Sequence, residues 1–405
     1  MADRPRSPIA DRMRRIPTSQ TIAVIEKARA LSAAGRDILN LSAGEPDFET
    51  PENIKAAAIK AIHDGQTRYT DVAGVSVLRE AVTAKFKRDN NLVYAPGEVI
   101  VGTGGKQIIF NALLATINAG DEAIIPTPCW VSYPDIVSLA DGIPVIVPCS
   151  DAHNFKLQPD ALESAITSRT KWLILNTPSN PSGALYSREE LSALATVLRR
   201  HPNIWILTDD IYEKLVFDGL PFSTMAQAAP DLRDRTLTMN GCSKGYAMTG
   251  WRIGFGAGPK ELISEMVKLQ SQSTSNTCSI AQAAAVEALS GPQDSIAKMV
   301  TSFQERRDLV VRLLTSIQGL TCGTPQGAFY VFPGIRHFIG KRTAGGTDIV
   351  DDEAFVTALL AEEGVAAVHG AAFKYPGHIR ISYSTSVTQL EDACKRIHRF
   401  CSSLH

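Results

Sequence analysis

Short apolar runs alternate with helix-like stretches through the middle of the chain, between residues 98 and 257. Continuous apolar runs of this length, separated by helices, are typical of strands buried on both faces of a parallel sheet. The pattern therefore predicts an α/β fold in which helices cover a mostly parallel seven-stranded sheet. The seven runs lie at 98–101, 123–125, 145–147, 172–175, 204–207, 236–239 and 253–257.

The two flanks of the chain follow a different pattern. Residues 52–63 and 302–317 place apolar side chains at helical spacing. Strand-like runs follow at 328–332 and 379–383, with a helix between them at 352–364. This mixture predicts a smaller α+β domain formed with the N-terminal arm. The expected division is 1–48 for the arm and part of the small domain, 49–298 for the large domain and 299–405 for the C-terminal small domain.

Composition and charge exclude several classes of function. The 405 residues are 44% hydrophobic with a net charge of -1, so no nucleic-acid partner is indicated. No apolar stretch is long enough to span a membrane, and the N-terminus lacks the apolar core of a signal peptide. The seven cysteines form no C-x-x-C pair and the histidines show no metal-ligand spacing. We therefore expect free thiols, no metal and a cytoplasmic protein.

Polar side chains follow several predicted strands. Asn176, Asp209 and Ser243-Lys244 each fall just past a strand end, where ligands gather in sheets of this kind. Lys244 has small and apolar neighbours; burial lowers the pKa of a lysine, and a neutral lysine can form a Schiff base with a carbonyl. A surface lysine in a loop is the alternative. With Asp209 upstream and Arg252 downstream, the set contains the parts of a pyridoxal-phosphate (PLP) site.

Other segments are ambiguous when each is taken alone. The glycine-rich segment 102–106 joins a strand to a helix and could approach an anion, or be a plain tight turn. A buried, unpaired carboxylate at a strand end costs free energy of folding, so Asp209 needs a partner there. The alternative is that Asp209 caps the next helix. Arg252 and Arg380, both flanked by apolar residues, each need an anion, from the protein or from a ligand.

Three more side chains have an ordinary structural explanation beside a functional one. Asn180 precedes a proline in a turn, where asparagine is common. Tyr212 could hydrogen-bond the same ligand as Asp209, or pack in the core. Trp130 could stack on a ring, or pack.

The ordered set of motifs resembles the class I (fold-type I) PLP-dependent aminotransferases, and more closely their bacterial aspartate/prephenate branch. The resemblance runs from about Arg12 to Cys401. It implies the aspartate-aminotransferase-like fold, with a large PLP-binding domain and a smaller α+β domain. The segments that carry it are Ser42-Ala43-Gly44-Glu45-Pro46-Asp47-Phe48, Tyr69-Thr70, Gly104-Gly105-Lys106-Gln107, residues 178–183, residues 208–213, residues 243–254, residues 325–330 and Arg380-Ile381-Ser382-Tyr383.

The resemblance implies roles around the cofactor. Lys244 would hold PLP as a Schiff base and move the proton at the substrate α-carbon, and Asp209 would keep the pyridinium nitrogen protonated. The phenolate oxygen would accept hydrogen bonds, and the ring would be stacked. The other implied cofactor contacts are Tyr212 and Asn180 at the phenolate, Trp130 on the ring, and Gly105, Lys106, Ser243 and Arg252 at the phosphate.

The resemblance also implies substrate contacts and a partner. Arg380 would bind the substrate α-carboxylate through its planar fork, with Gly44, Trp130 and Asn180 beside it. Tyr69 would reach the phosphate of the neighbouring subunit. A homodimer with shared active sites is therefore expected.

Several positions depart from the family pattern. Pro17 stands where close bacterial relatives typically have a lysine, so the arm supplies no cation there for a distal carboxylate. Lys106 could supply that charge, as could Arg14 or Arg15 with a shifted arm. Three further departures are expected near the site and would shift substrate preference: Cys129 for an aromatic residue, Gly245 for alanine and Lys374 for glycine.

The resulting expectation is a ping-pong aminotransferase that moves an amino group from an L-amino acid, most often aspartate, to 2-oxoglutarate. Aromatic amino acids or prephenate are the alternative substrates; Thr70 and Lys106 favour prephenate, and the missing arm lysine opposes it. A PLP-dependent C–S lyase or cyclopropane-forming lyase is a second alternative. A PLP domain of a transcription regulator is not expected, because the family match begins near residue 12 and leaves no room for a helix-turn-helix domain.

Overall fold

The structure, a computed structural model, describes residues 9–18 and 20–405. Within that part of the chain, no helix is both long and apolar enough to cross a membrane. The helices are α1 (Gln20–Ala33), α2 (Glu52–His63), α3 (Ser76–Asn90), α4 (Gly105–Thr116), α5 (Ser132–Leu139), α6 (Pro159–Ala165), α7 (Arg188–Arg199), α8 (Met225–Ala228), α9 (Lys260–Ser271), α10 (Ser279–Ser290), α11 (Asp294–Thr315), α12 (Asp352–Glu363) and α13 (Val387–Ser403). The strands are β1 (Leu39–Asn40), β2 (Val99–Thr103), β3 (Glu122–Thr127), β4 (Ile143–Pro148), β5 (Thr170–Asn176), β6 (Trp205–Asp209), β7 (Thr236–Gly241), β8 (Ile253–Ala257), β9 (Tyr330–Val331), β10 (Val365–Ala366), β11 (Val368–His369) and β12 (Ile379–Ser382).

The central sheet has seven strands in the order β2-β8-β7-β6-β5-β3-β4. The strands from β4 across to β7 run parallel to one another, whereas β8 is antiparallel to both β2 and β7. Each apolar run predicted from the sequence contributes one strand. The predicted α/β architecture with a mostly parallel seven-stranded sheet is confirmed.

Helices cover both faces of this sheet, which is why its strands have continuous apolar sequences. Side chains of α4 and α9 pack with Trp172 on one face, and side chains of α6 and α7 pack with Leu173 on the other. The two neighbours belong to different cores because successive side chains of a strand point to opposite faces.

Local signals explain where the covering helices begin. At the start of α7, Ser187 accepts a hydrogen bond from the backbone N–H of Glu190, and the Glu190 carboxylate accepts one from the backbone N–H of Ser187. This capping box satisfies two N–H groups that the first turn leaves unpaired. The apolar stripe of α7, with Leu191, Leu194 and Leu198 buried, then packs against the sheet.

A separate hydrophobic core lies around the C-terminal strands β9 and β12 and the helices α11 to α13. Helix α11 joins this core to the large one, because Ile296 packs in the large core and Phe303 in the C-terminal core. The sequence placed the start of this helix near residue 302, but it begins at Asp294. The buried apolar stripe of this helix already includes Ile296, Met299 and Phe303, so the helix begins nearer the N-terminus than predicted.

The N-terminal segment packs against the C-terminal part of the chain. β1 pairs in parallel with β10, and Ala28 of α1 packs with Leu360 and Ala366. The strand expected at 328–332 is limited to β9, where only two residues keep ladder pairing with β12. The domain boundaries at residues 48 and 298 stay predictions, and α11 runs across the second of them.

Candidate active site

A cavity of about 530 Å³ lies where the carboxyl ends of the central strands face the C-terminal core. Strand ends, the loop before α4 and strand β12 all contribute side chains to its wall. Eleven of the twelve residues expected at the site line it: Gly44, Gly105, Lys106, Trp130, Asn180, Asp209, Tyr212, Ser243, Lys244, Arg252 and Arg380.

Lys244 reaches this cavity from the turn that follows β7. Its Nζ donates a hydrogen bond to the backbone carbonyl of Gly44. Burial, with a smaller contribution from the positive charge of Arg380, lowers the pKa of Lys244 to about 8. A sizeable fraction of the amine is therefore neutral near pH 7.5, the state in which it can attack a carbonyl.

Asp209 is the last residue of β6 and is buried. Its carboxylate accepts hydrogen bonds from the Tyr133 hydroxyl at 2.5 Å and from the backbone N–H of Ile211 at 3.2 Å. Burial raises the pKa of Asp209 to about 6, although these hydrogen bonds and Lys244 oppose the rise. The alternative role as a helix cap is not supported, since α8 is the next α-helix after β6 and begins only at Met225.

Arg252 forms an anion-binding cradle with the start of α4. The guanidinium donates to the carbonyl of Thr249 at 3.0 Å, and no carboxylate among the described residues pairs with it. A Cβ on Gly104 would come within 2.4 Å of Arg252 Nη2, so this approach requires glycine. The N-terminus of α4 adds backbone N–H groups and a favourable helix dipole. Arg252 also has φ +57°, a strained backbone conformation that non-glycine residues seldom adopt.

Arg380 lies on β12, on the opposite side of the site, and is 3% exposed. Its guanidinium donates to the Asn180 side-chain oxygen at 3.0 Å and to the Ser42 carbonyl at 2.6 Å. The guanidinium packs over the Tyr330 ring at 4.6 Å, and its Nε has no hydrogen-bond partner. A buried arginine without a carboxylate partner in the described chain is suited to binding an anionic ligand.

The other expected side chains complete the wall. Tyr212 is hydrogen-bonded through its hydroxyl to the Tyr330 hydroxyl at 3.0 Å. Trp130 packs edge-to-face on Tyr133, and Lys106 Nζ lies 4.9 Å from the Trp130 ring centroid. Trp130 thus packs on Tyr133 and also lines the cavity. Its stacking on a ligand ring stays a prediction.

Two tyrosines at the site were not assigned a role by the sequence. Tyr133 holds Asp209, and Tyr330 contacts both Tyr212 and Arg380. Each lies in an apolar stretch where a tyrosine is usually interpreted as core. The requirement that a buried tyrosine hydroxyl find a partner is the signal that could have identified them.

Tyr69 is the expected residue that the structure places elsewhere. It is 91% exposed and does not line the cavity. Its expected contact with a second subunit stays a prediction.

The family model for aminotransferase class I and II matches residues 36–397 of the chain. This chain belongs to that family. The aspartate/prephenate aminotransferase of Cereibacter sphaeroides is 59% identical over 396 residues, which cover 98% of this chain and 99% of the relative. The crystal structure of the aspartate aminotransferase from Rhizobium meliloti has a TM-score of 0.96 at 49% identity, covering 98% and 100% of the two chains. The Thermus thermophilus aspartate aminotransferase with maleate has a TM-score of 0.91 at 40% identity, with the same coverage.

These findings confirm the predicted family, and the protein is an aminotransferase. The family implies PLP as the cofactor, and the residues of this aminotransferase fit that group. One cavity is lined by a lysine of lowered pKa, a buried carboxyl group and an arginine-lined anion cradle that has no counterion among the described residues. A phosphate, an aldehyde and a ring nitrogen are the complementary groups.

The departures from the family pattern lie outside the cavity of this aminotransferase. Arg15 pairs with Asp141 at 2.5 Å and Arg14 with Asp11 at 3.7 Å, and neither of these two cations lines the cavity. The three other departures were expected near the site, but none of them lines its wall; they are Cys129, Gly245 and Lys374. Cys129 is buried in the large core, and burial raises the pKa of its thiol to about 12.

Proposed function

We propose that this aminotransferase transfers the amino group of an L-amino acid, with aspartate as the main donor, to 2-oxoglutarate in a ping-pong reaction with PLP on Lys244. The observation that carries this proposal is the position of Lys244. It lines a single cavity with a buried carboxyl group and with two arginines, Arg252 and Arg380, that pair with no carboxylate of residues 9–18 and 20–405.

The residues that would hold PLP follow from this geometry. Lys244 would bind the cofactor aldehyde through Nζ. The cradle formed by Gly105, Ser243 and Arg252 would bind the phosphate through backbone N–H groups, a hydroxyl and a guanidinium. Asn180 and Tyr212 would contact the phenolate oxygen, and Trp130 and the Lys106 amide would complete the site.

The bound cofactor supplies an electron sink that stabilises negative charge at the substrate α-carbon. Asp209, held by Tyr133 and the Ile211 amide, would sit beside the ring nitrogen and keep a proton there. Lys244, with a pKa near 8, would accept the α-proton on Nζ and deliver it to the cofactor side of the bond. Asp209 is 4% exposed, which limits the access of water to its carboxyl group.

Arg380 would bind the substrate α-carboxylate. Its contacts with Asn180 and Ser42 fix the guanidinium plane before substrate arrives, so little side-chain entropy is lost on binding. Gly44 lies beside this group, and a Cβ there would be 3.3 Å from the Tyr330 hydroxyl.

Aspartate is proposed as donor because the similar Rhizobium meliloti and Thermus thermophilus enzymes are named aspartate aminotransferases. A second candidate acceptor is prephenate, because the similar Cereibacter sphaeroides protein is named an aspartate/prephenate aminotransferase. Prephenate, like 2-oxoglutarate, is a 2-oxo acid that carries a second carboxylate.

A homodimer and a cytoplasmic location are part of the same proposal. The Tyr69 side chain, which is 91% exposed, is available for contact with a second subunit. Sedimentation of the PLP-loaded protein at micromolar concentration would measure whether it is a homodimer.

The test separates the two half-reactions. PLP-loaded protein mixed with L-aspartate alone should release one oxo acid per active site and then stop. Adding 2-oxoglutarate or prephenate should restart turnover and give parallel double-reciprocal lines. Continuous oxo acid release without an acceptor would identify a lyase instead. No release from any L-amino acid would refute the proposal.

A further inference from the structure

A transaminase acting on dicarboxylates needs a second cation, and the arm of this chain has Pro17 where that cation was expected. Resting on the function proposed above, we infer that Arg29 of α1 binds the distal carboxylate of the substrate. Nothing in the sequence pattern assigned a role to this residue.

Five cationic side chains of the described residues line the cavity. They are Arg29, Lys106, Lys244, Arg252 and Arg380. The last three would be engaged by the cofactor aldehyde, its phosphate and the substrate α-carboxylate. Arg29 and Lys106 therefore remain for a second anionic group.

Arg29 is the better match to a carboxylate. It is exposed at the rim of the cavity, and neither a hydrogen bond nor an ion pair ties it to another described residue. Its guanidinium can bind both carboxylate oxygens at once, whereas an ammonium acts as a point charge. The Lys106 Nζ already packs over the Trp130 ring at 4.9 Å, and burial and Arg252 lower the pKa of this lysine.

The position of α1 supports the assignment. Ile25 and Arg29 are four residues apart, so they lie on one face of the helix, and both line the cavity. The neighbouring face, which includes Val24, Ala28 and Leu31, packs on the C-terminal part of the chain. The helix is thus anchored by one face and presents the other to the substrate.

Neither Arg14 nor Arg15 of the arm lines the cavity. Arg15 is paired with Asp141, and Arg14 with Asp11. Helix α1 carries a matched control in Lys27, which is exposed, has the same charge and does not line the cavity.

The experiment compares 2-oxoglutarate with 2-oxopentanoate, which has the same chain length but no distal carboxylate. The readout is the ratio of their kcat/KM values in the PLP-loaded enzyme, together with inhibition by succinate. In Arg29→Leu this ratio should fall about tenfold or more, since one charge-assisted contact is lost. Succinate inhibition should weaken in parallel, and Arg29→Lys should recover part of both.

Two outcomes of this comparison would overturn the inference. One is an unchanged ratio in Arg29→Leu, which includes an equal loss for both acceptors, and the other is the same change in the control Lys27→Leu. A selective loss found only in Lys106→Met would also overturn it and assign the contact to Lys106. If the unaltered enzyme reacts with neither acceptor, the proposed function fails instead, so the two failures are distinguishable.

Discussion

The two sides of the cavity are built in different ways. On the sheet side, Asp209, Lys244 and Arg252 come from strand ends and turns within one contiguous part of the chain. On the other side, Arg380 depends on Ser42, 338 residues away in sequence, and on Asn180, 200 residues away. The first set suits a cofactor that stays bound, and the second suits a substrate that comes and goes.

This difference has a physical basis. Groups fixed by a continuous hydrogen-bonded sheet keep their geometry when one neighbour changes, which a permanently bound group requires. Groups held between two cores can separate as those cores move, which substrate exchange requires. Substitutions on the sheet side should therefore weaken mainly cofactor binding, and substitutions on the Arg380 side should alter mainly substrate kinetics.

The largest effect is expected from Lys244→Ala. It removes both the group that would hold PLP covalently and the base at the substrate α-carbon, so turnover should fall by several orders of magnitude. Borohydride treatment followed by mass measurement should add the mass of a reduced cofactor to the unaltered protein but not to the variant. The exposed Lys268→Ala serves as control and should keep the adduct.

Arg380→Leu should act on the substrate side alone. Loss of a buried carboxylate contact should lower kcat/KM for the amino acid by about a hundredfold or more, since such pairs contribute roughly 2–5 kcal/mol. The dissociation constant of PLP should change little. Arg380→Lys should not recover most of the loss, because an ammonium cannot reproduce the planar fork. Equal weakening of PLP and substrate binding would contradict the separation of the two sides.

Arg252→Gln should give the reverse pattern. The dissociation constant of PLP should rise about tenfold to a hundredfold, because one charge-assisted phosphate contact is lost. At saturating PLP, the KM for aspartate should stay within about twofold, below the effect of any lost charged contact. Fluorescence titration with PLP measures the first quantity and initial rates the second.

The smallest effect is expected for the stability contributed by Asp210, the buried residue that follows Asp209 in the chain. Burial raises the pKa of Asp210 from the ordinary 3.8 to about 7. The folded state therefore binds the extra proton between about pH 4 and 7, and the stability it contributes below pH 4 is lost as pH rises through 7. Asp210→Asn should become more stable relative to the unaltered protein across that window.

Denaturant unfolding of the PLP-free proteins from about pH 3 to 8 measures this dependence. Asp218→Asn is the control with opposite sign, because a hydrogen bond from Arg307 lowers the pKa of Asp218. Its loss of stability relative to the unaltered protein should grow as pH rises from about 3 to 5, the range in which the ordinary carboxyl group titrates. A flat response of Asp210→Asn would show that this carboxyl group is already solvated.

The sequence predicted the sheet side of the site better than its rim. Asp209 and Lys244 could be placed because a polar residue after an apolar strand has few positions open to it in a parallel sheet. Tyr133 and Tyr330 escaped notice because their partners, Asp209 and Tyr212, are 76 and 118 residues away. Contacts between residues so far apart in sequence cannot be predicted from local sequence patterns.

The sequence by itself determined the strand and helix alternation and the family, and it predicted the residues that would hold PLP. These depend on local periodicity and on motifs within a few residues of one another. Only the tertiary structure decided that the arm cations Arg14 and Arg15 are paired elsewhere, that Cys129 is core, and that Arg29 shares the cavity with Arg380. Side chains from distant segments meet only when two cores pack together, and that packing has no local signature.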